Sequence, residues 1–258
     1  MNASTDLTAL YTVARREIIR IMRIWTQTLI PPIITMTLYF VIFGKLIGSR
    51  IGSIEGGLSY MQYIVPGLVM MTIINNSYMN ISSSFYGAKF QRSVEEMLVS
   101  PMANWAILSG YVIGAVARGL VVGALVLVVA LFFTSLHVAH PWIALLSVTL
   151  GAIIFALAGF INAVFASKFD DIALVPTFVI TPLTYLGGVF YSIKMLGEPW
   201  QAISHANPIL YMVNAFRYGI LGISDVPVGW AFVLMLVFIA GLTIVALQLL
   251  KRGVGLRS

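Results

Sequence analysis

The chain has 258 residues, with 15 Lys and Arg against 9 Asp and Glu, a net charge of +6, and 60% hydrophobic residues. That apolar fraction, with a mean hydropathy of +0.97, exceeds soluble-domain usage, and the apolar runs are far longer than the strands of a membrane barrel. The absence of cysteine excludes disulfides, thiol catalysis and Cys-ligated metals; the basic residues sit at the ends of apolar runs rather than on one soluble face, which argues against nucleic acid as a partner.

A hydrocarbon core about 30 Å thick requires roughly 20 apolar residues per helix, because only a helix or a closed barrel satisfies its own backbone in lipid. The expected fold is therefore an all-α membrane protein with six transmembrane helices and an N-terminal interfacial amphipathic helix. In residues 1–23, Leu7, Leu10, Ala14, Ile18 and Ile21, continued by Trp25, form an apolar stripe, and Arg16, Arg20 and Arg23 form a basic one. Such a helix suits the membrane interface, where its arginines meet anionic lipid or a docking partner. Asp6 and the arginines precede the first long apolar run, so the expectation is a retained first span rather than a cleaved signal peptide.

The transmembrane domain is expected over 24–251, with spans at about 24–47, 60–82, 111–133, 142–166, 172–191 and 229–250, and a tail over 252–258. The first carries Pro31 and Pro32 early, and Lys45 is placed to snorkel at its far end. A loop rich in Gly and Ser over 48–59 follows. The second span bears Asn75, Asn76, Ser77 and Asn80, polar groups that must face helices or a cavity because unsatisfied amides in lipid are costly.

Between spans two and three, Lys89, Arg92 and Glu96 recur at helical spacing and would share one charged face of a short helix, with Glu95 beside them. Arg118 falls inside the third span, where it either snorkels or meets a carboxylate from a neighbouring segment. His137 and His140, three apart without a third ligand, are weak metal candidates, and Asp170 and Asp171 read as solvated turn charges rather than an acid–base pair. The fifth span contains Pro176, Pro182, Gly187 and Gly188 and is expected to kink or break toward its outer end. The stretch 192–227 is aromatic and moderately apolar, but Pro199, Pro208 and Gly222 leave room only for short helices dipping into the outer leaflet.

Lys and Arg distribution sets the orientation. One side holds Arg15, Arg16, Arg20, Arg23, Lys89, Arg92, Lys168, Lys251, Arg252 and Arg257; the other holds Lys45, Arg50, Lys194 and Arg217. Both termini are therefore expected in the cytoplasm. The two halves do not share the hydropathy pattern of an inverted-repeat carrier. No phosphate-binding loop, dinucleotide fingerprint or nucleophile triad is present, and no run of buried carboxylates suggests ion coupling, so energy for transport would come from a partner.

Three stretches carry a family resemblance. Val175 to Ser192, then Asn207, Pro208 and Tyr211, then Phe216, Arg217, Tyr218 and Gly219, resemble the C-terminal signature of bacterial ABC-2 type transporter permeases. Phe85 to Arg92, with Glu95, Glu96, Leu98 and Pro101 after it, resembles the family's second intracellular segment. The likeness extends from about Arg20 to Ser258. It implies a non-catalytic permease subunit of an inner-membrane exporter, in which two copies pair with two cytoplasmic ABC ATPase subunits that hold the ATP and Mg; no cofactor is expected in this chain.

On that likeness the ATPase-coupling helix maps to Phe85–Pro101, with Lys89, Arg92, Glu95 and Glu96 as contact residues, and the re-entrant element to Ser192–Gly222, with Asn207, Pro208, Tyr211, Phe216 and Arg217 as its signature. Spans two and five would line the path, giving Asn75, Asn76, Asn80, Thr181, Thr184 and Tyr185 as lining residues and Phe190 and Tyr191 as an outer gate. This mildly polar, aromatic set suits a glycan, a lipid-linked molecule or an amphipathic drug. The rival readings are a secondary carrier or channel that needs no ATPase, and a membrane assembly or anchor subunit.

Overall fold

A computed structural model describes residues 3–48, 53–54 and 57–255. The Lys45 side chain, Arg50, Arg257 and the end of the tail, which enter the expectations above, lie outside the described residues. Helix α1 (Ala3–Arg23) is followed by α2 (Trp25–Tyr39), which contains Pro31 and Pro32 and continues as a π-helical segment, Phe40–Ile47. Two short strands, β1 (Ser53–Ile54) and β2 (Leu58–Ser59), pair antiparallel before α3 (Tyr60–Phe90). Ser59 and Gln62 form a reciprocal capping box that fixes where α3 begins.

At 31 residues, and about 1.5 Å of rise each, α3 is roughly 46 Å long and outreaches the hydrocarbon layer. A short helix α4 (Ser93–Val99) follows, then α5 (Asn104–Leu131) and α6 (Pro141–Phe165). Helix α5 starts at Asn104, earlier than the apolar run from Tyr111, because Ala106, Ile107 and Leu108 are buried against the bundle.

Among the described residues, five helical stretches are long and apolar enough to cross a membrane: Trp25–Gly44, Asn104–Leu131, Pro141–Phe165, Phe169–Leu186 and Val228–Arg252. Helix α3 is too polar to join them, and its packing shows why that polarity is tolerated. It runs through the middle of the bundle against α5, α6 and the short helix over Pro208–Leu221, burying Ile64, Leu68, Met70, Ile74, Tyr78, Ile81 and Phe85. Ser77, Asn80 and Ser82 thus face protein rather than lipid. The chain is an all-α membrane protein.

The contact of α3 with α5 and α6 depends on glycine. A Cβ on Gly119 would collide with the Ser77 hydroxyl, and one on Gly159 would lie 2.6 Å from the Tyr78 carbonyl oxygen. Across the second contact the Ser82 hydroxyl donates to the Gly159 carbonyl at 2.9 Å, a bond that close backbone approach permits.

Phe169–Leu186, the fifth stretch in the order of the expected spans, is composite: α7 (Phe169–Val175), a π-helical turn over Pro176–Ile180, and α8 (Thr181–Leu186). Pro182 cannot donate to the helix ladder, and the wider turn is held instead by Thr181, whose backbone N–H and hydroxyl both bond the Pro176 carbonyl. Gly187 and Gly188 (φ +72°) then end the helix. A 3₁₀ turn (Ile193–Met195), α9 (Glu198–His205) and α10 (Pro208–Leu221) precede α11 (Val228–Arg252). The 14 residues of α10 cover about 21 Å, too little to cross the layer, yet the helix is packed between α6, α3 and α11.

Candidate functional site

At one end of the bundle, α3 stops at Phe90 and the chain reverses at Arg92, which adopts a left-handed conformation (φ 59°) and leads into α4. Val94 anchors α4 in the core, while Arg92, Glu96 and Val99 are exposed, Val99 to 89%. Phe90, also exposed, has its ring 5.6 Å from that of Phe169 at the start of α7. Lys89 points the other way. Its ammonium donates to the carbonyl oxygens of Val164 and Ala166 at 2.7 and 2.8 Å, satisfying the C-terminal end of α6.

Beside this end, α1 is fastened to α3 and α5 by a polar network. Glu17, with a side chain only 1% exposed, accepts from Arg20 at 3.1 Å and from the Ser84 hydroxyl at 2.7 Å, and Arg16 approaches its second oxygen at 3.5 Å. Arg20 also donates to the Asn80 side-chain oxygen at 2.8 Å, and Arg16 to the Tyr111 hydroxyl. A buried carboxylate is tolerable only when paired in this way. Arg118 reaches the same Asn80 oxygen at 3.4 Å.

The opposite end is organised around the break in the fifth stretch. Arg217 of α10 is 1% exposed, donates to the Gly188 carbonyl at 2.6 Å, and lies with its guanidinium 4.0 Å from the centroid of the Tyr63 ring. Asp225 accepts from Ser192 at 2.9 Å and from Tyr63 at 3.4 Å, and its backbone N–H donates to Asn214 at 2.9 Å. Asn207 caps α10 through the Ile209 N–H and also donates to Leu183 of α8. Pro208 takes the first helical position, Tyr211 donates to the His205 carbonyl at 2.9 Å, and Phe216 is buried. Phe190 packs against Tyr39, Phe43 and Tyr185 at ring separations of 5.0–6.0 Å, joining the first apolar stretch to the fifth. Tyr191 donates to the Tyr185 carbonyl at 2.9 Å.

Residues 8–221 match the ABC-2 type transporter family. The chain belongs to that family. It is 58% identical over 251 residues, 97% of each chain, to the inner membrane transport permease YadH of Escherichia coli (strain K12). It is also similar to nodulation protein J of Rhizobium leguminosarum bv. viciae, at 23% identity over 220 residues and 83% of each chain. The protein is thus an ABC-2 permease subunit of an inner-membrane transporter, not an enzyme, and membership of the family implies association with an ABC ATPase.

In this ABC-2 permease the charged segment after α3 departs from the expected single helix. Lys89, Arg92 and Glu96 do not share a helical face, because the left-handed turn at Arg92 separates Lys89 on α3 from α4, and Lys89 is occupied by α6. Asn80 and Thr184 are fully buried, Asn80 in the α1 network and Thr184 bonded to the Ile180 carbonyl at 2.6 Å, so neither lines an open path in this conformation. Asn75 and Asn76 are half-buried and donate to carbonyls one turn back, of Met71 and Thr72, both at 3.0 Å. Arg118 meets an amide where a carboxylate was expected, because Glu17 is taken by Arg20.

Three buried or nearly buried carboxylates were not anticipated: Asp6, Glu17 and Asp225. Glu17 stands three residues before Arg20 on the helical stripe, a spacing that is itself the signal of an ion pair. Of the remaining polar candidates, His140 stacks on Tyr218 at 4.9 Å, and Asp171 accepts from the backbone N–H groups of Ser167 and Lys168 at 2.8 and 2.9 Å, holding the turn into α7.

Proposed function

We propose that two copies of this permease and two copies of an ABC ATPase form an ATP-driven exporter, with ATP and Mg bound by the ATPase. In this reading the chain crosses the membrane six times, α3 supplying the second span beside the five apolar stretches, over the domain boundaries set out above, with both termini in the cytoplasm. The observation that carries it is α4. A seven-residue helix rooted by Val94 presents Glu96 and Val99 outward, with Arg92 exposed at its cap, at the end of the most deeply packed helix of the bundle. Movement imposed on α4 passes directly into α3, a rigid element, as transmission from an ATPase requires. Mixed charge around an exposed apolar residue suits a specific protein contact.

Asn75, Asn76, Thr181 and Tyr185 are the residues assigned to the path, and the Phe190 cluster with Tyr191 is assigned to its outer closure. The π-helical turn at Pro176–Ile180 gives the fifth span a place to flex. Export as the direction rests on the resemblance of the motifs, not on their geometry.

Light scattering on the detergent-solubilised complex tests the assembly. Two 28.2 kDa chains with two ATPase subunits are expected. A chain that forms no complex with an ATPase and by itself discharges an ion gradient in vesicles contradicts the reading.

A further inference from the structure

A groove of about 630 Å³ runs between α1 and the final turns of α3, within the roughly 300–1,000 Å³ range of ligand sites. One wall is α1, which contributes Arg15, Arg16, Arg20 and Arg23. The other is a face of α3 made of Ser83, Ser84, Gly87 and Ala88, and their small size is what leaves the groove open. A Cβ on Gly87 would meet nothing within 4 Å.

The groove contains four guanidinium groups and one carboxylate, Glu17, already engaged by Arg20 and Ser84. Arg15 and Arg23 have no hydrogen-bond or ion-pair partner among the described residues. The site is therefore strongly electropositive with donors to spare. Tyr11 and Ile19 also line it and are exposed, and Met22 and Trp25 are exposed nearby along the chain, so the surroundings are those of a helix lying in lipid.

We propose that this groove binds the phosphate headgroup of an anionic phospholipid, with Arg15 and Arg23 supplying the free cationic donors and Gly87 the space. A phosphate with no cation of its own suits the planar, multi-donor guanidinium groups better than a zwitterionic headgroup, whose ammonium the arginines repel, and the apolar rim suits the acyl chains that accompany a lipid rather than a free ion. This is a shaped site and differs from the diffuse attraction of a basic helix to an anionic surface. It depends on α1 lying at the membrane surface and not on the direction of transport or on the assembly.

The test titrates the purified full chain in neutral detergent with phosphatidylglycerol, phosphatidylcholine and inorganic phosphate, reading bound lipid by native mass spectrometry. Phosphatidylglycerol is expected to bind one per chain, and phosphatidylcholine and inorganic phosphate at least tenfold more weakly. Arg15→Gln with Arg23→Gln should weaken phosphatidylglycerol roughly 30-fold, from the surface energy of two lost charges. Gly87→Leu keeps every charge but fills the groove, and should also abolish one-to-one binding. Equal binding of phosphatidylcholine, inorganic phosphate binding as tightly as the lipid, or wild-type binding by a monodisperse Gly87→Leu chain would each overturn the proposal.

Discussion

Lys89 of α3 holds the carbonyl oxygen of Ala166, just past the end of α6, at 2.8 Å, so α3 and α6 are locked together shortly before α4 begins. The ammonium serves as a helix cap, completing carbonyls that α6 leaves without an internal partner. Its position explains how a seven-residue helix can be displayed rigidly.

Replacing Lys89 with Met should cost about 1.5–3 kcal/mol of stability, the usual range for hydrogen bonds to a charged group. Thermal unfolding in detergent reads this as a lower midpoint. Association with the ATPase should survive at temperatures where the variant is folded, because the side chain faces α6. Loss of association in a fully folded variant would place Lys89 at the contact after all.

The network under α1 yields a second expectation. Glu17→Ala leaves Arg20 and Ser84 without their buried acceptor and should cost about 1–3 kcal/mol. Adding Arg20→Met to that change should cost less than the sum of the two single substitutions, since the pair acts as a unit. Additive losses in a double-mutant cycle would show that α1 is held by its apolar contacts alone.

Close approach of α3 and α6 yields a third. Gly159→Val introduces a Cβ where 2.6 Å separates it from the Tyr78 carbonyl oxygen, backbone that cannot step aside. Overpacking of this kind should cost about 1–3 kcal/mol and reduce the yield of monodisperse protein. Gly87→Leu, on the open face of the same helix α3, should not lower the midpoint and gains up to about 1 kcal/mol of helix propensity. Equal midpoints for both variants would contradict the packing described.

Much of this was legible from residue pattern, and what escaped did so for identifiable reasons. Long uncharged runs reveal an all-α membrane protein because lipid admits few alternatives. Pro176, Pro182, Gly187 and Gly188 announced an irregular fifth stretch, and the structure supplies its form, a π-helical turn followed by a break. The shared face of Lys89, Arg92 and Glu96 was misread because helical spacing was extended through Arg92, and nothing local signals that a non-glycine residue will take a left-handed conformation there. Asn80 looked like a lining residue because polarity in a span marks a protected face, while only tertiary contacts decide whether that face meets a path or another helix. Glu17 and Asp225 drew no reading from the sequence, because their burial is made possible by tertiary partners: Ser84, 67 positions from Glu17, in one case, and groups gathered by the chain reversal after α10 in the other.

The most direct measurement is detergent co-purification of the tagged full chain with its ABC ATPase, with vanadate-sensitive ATP hydrolysis followed for wild type and for Arg92→Glu combined with Glu96→Lys. Both side chains are exposed on or beside α4, so the variant should insert and remain monodisperse. Wild type is expected to bind the ATPase and stimulate hydrolysis, and the variant to lose both by tenfold or more, as reversal of two contact charges implies. A variant that binds and stimulates as wild type does would remove α4 from the contact and contradict the account.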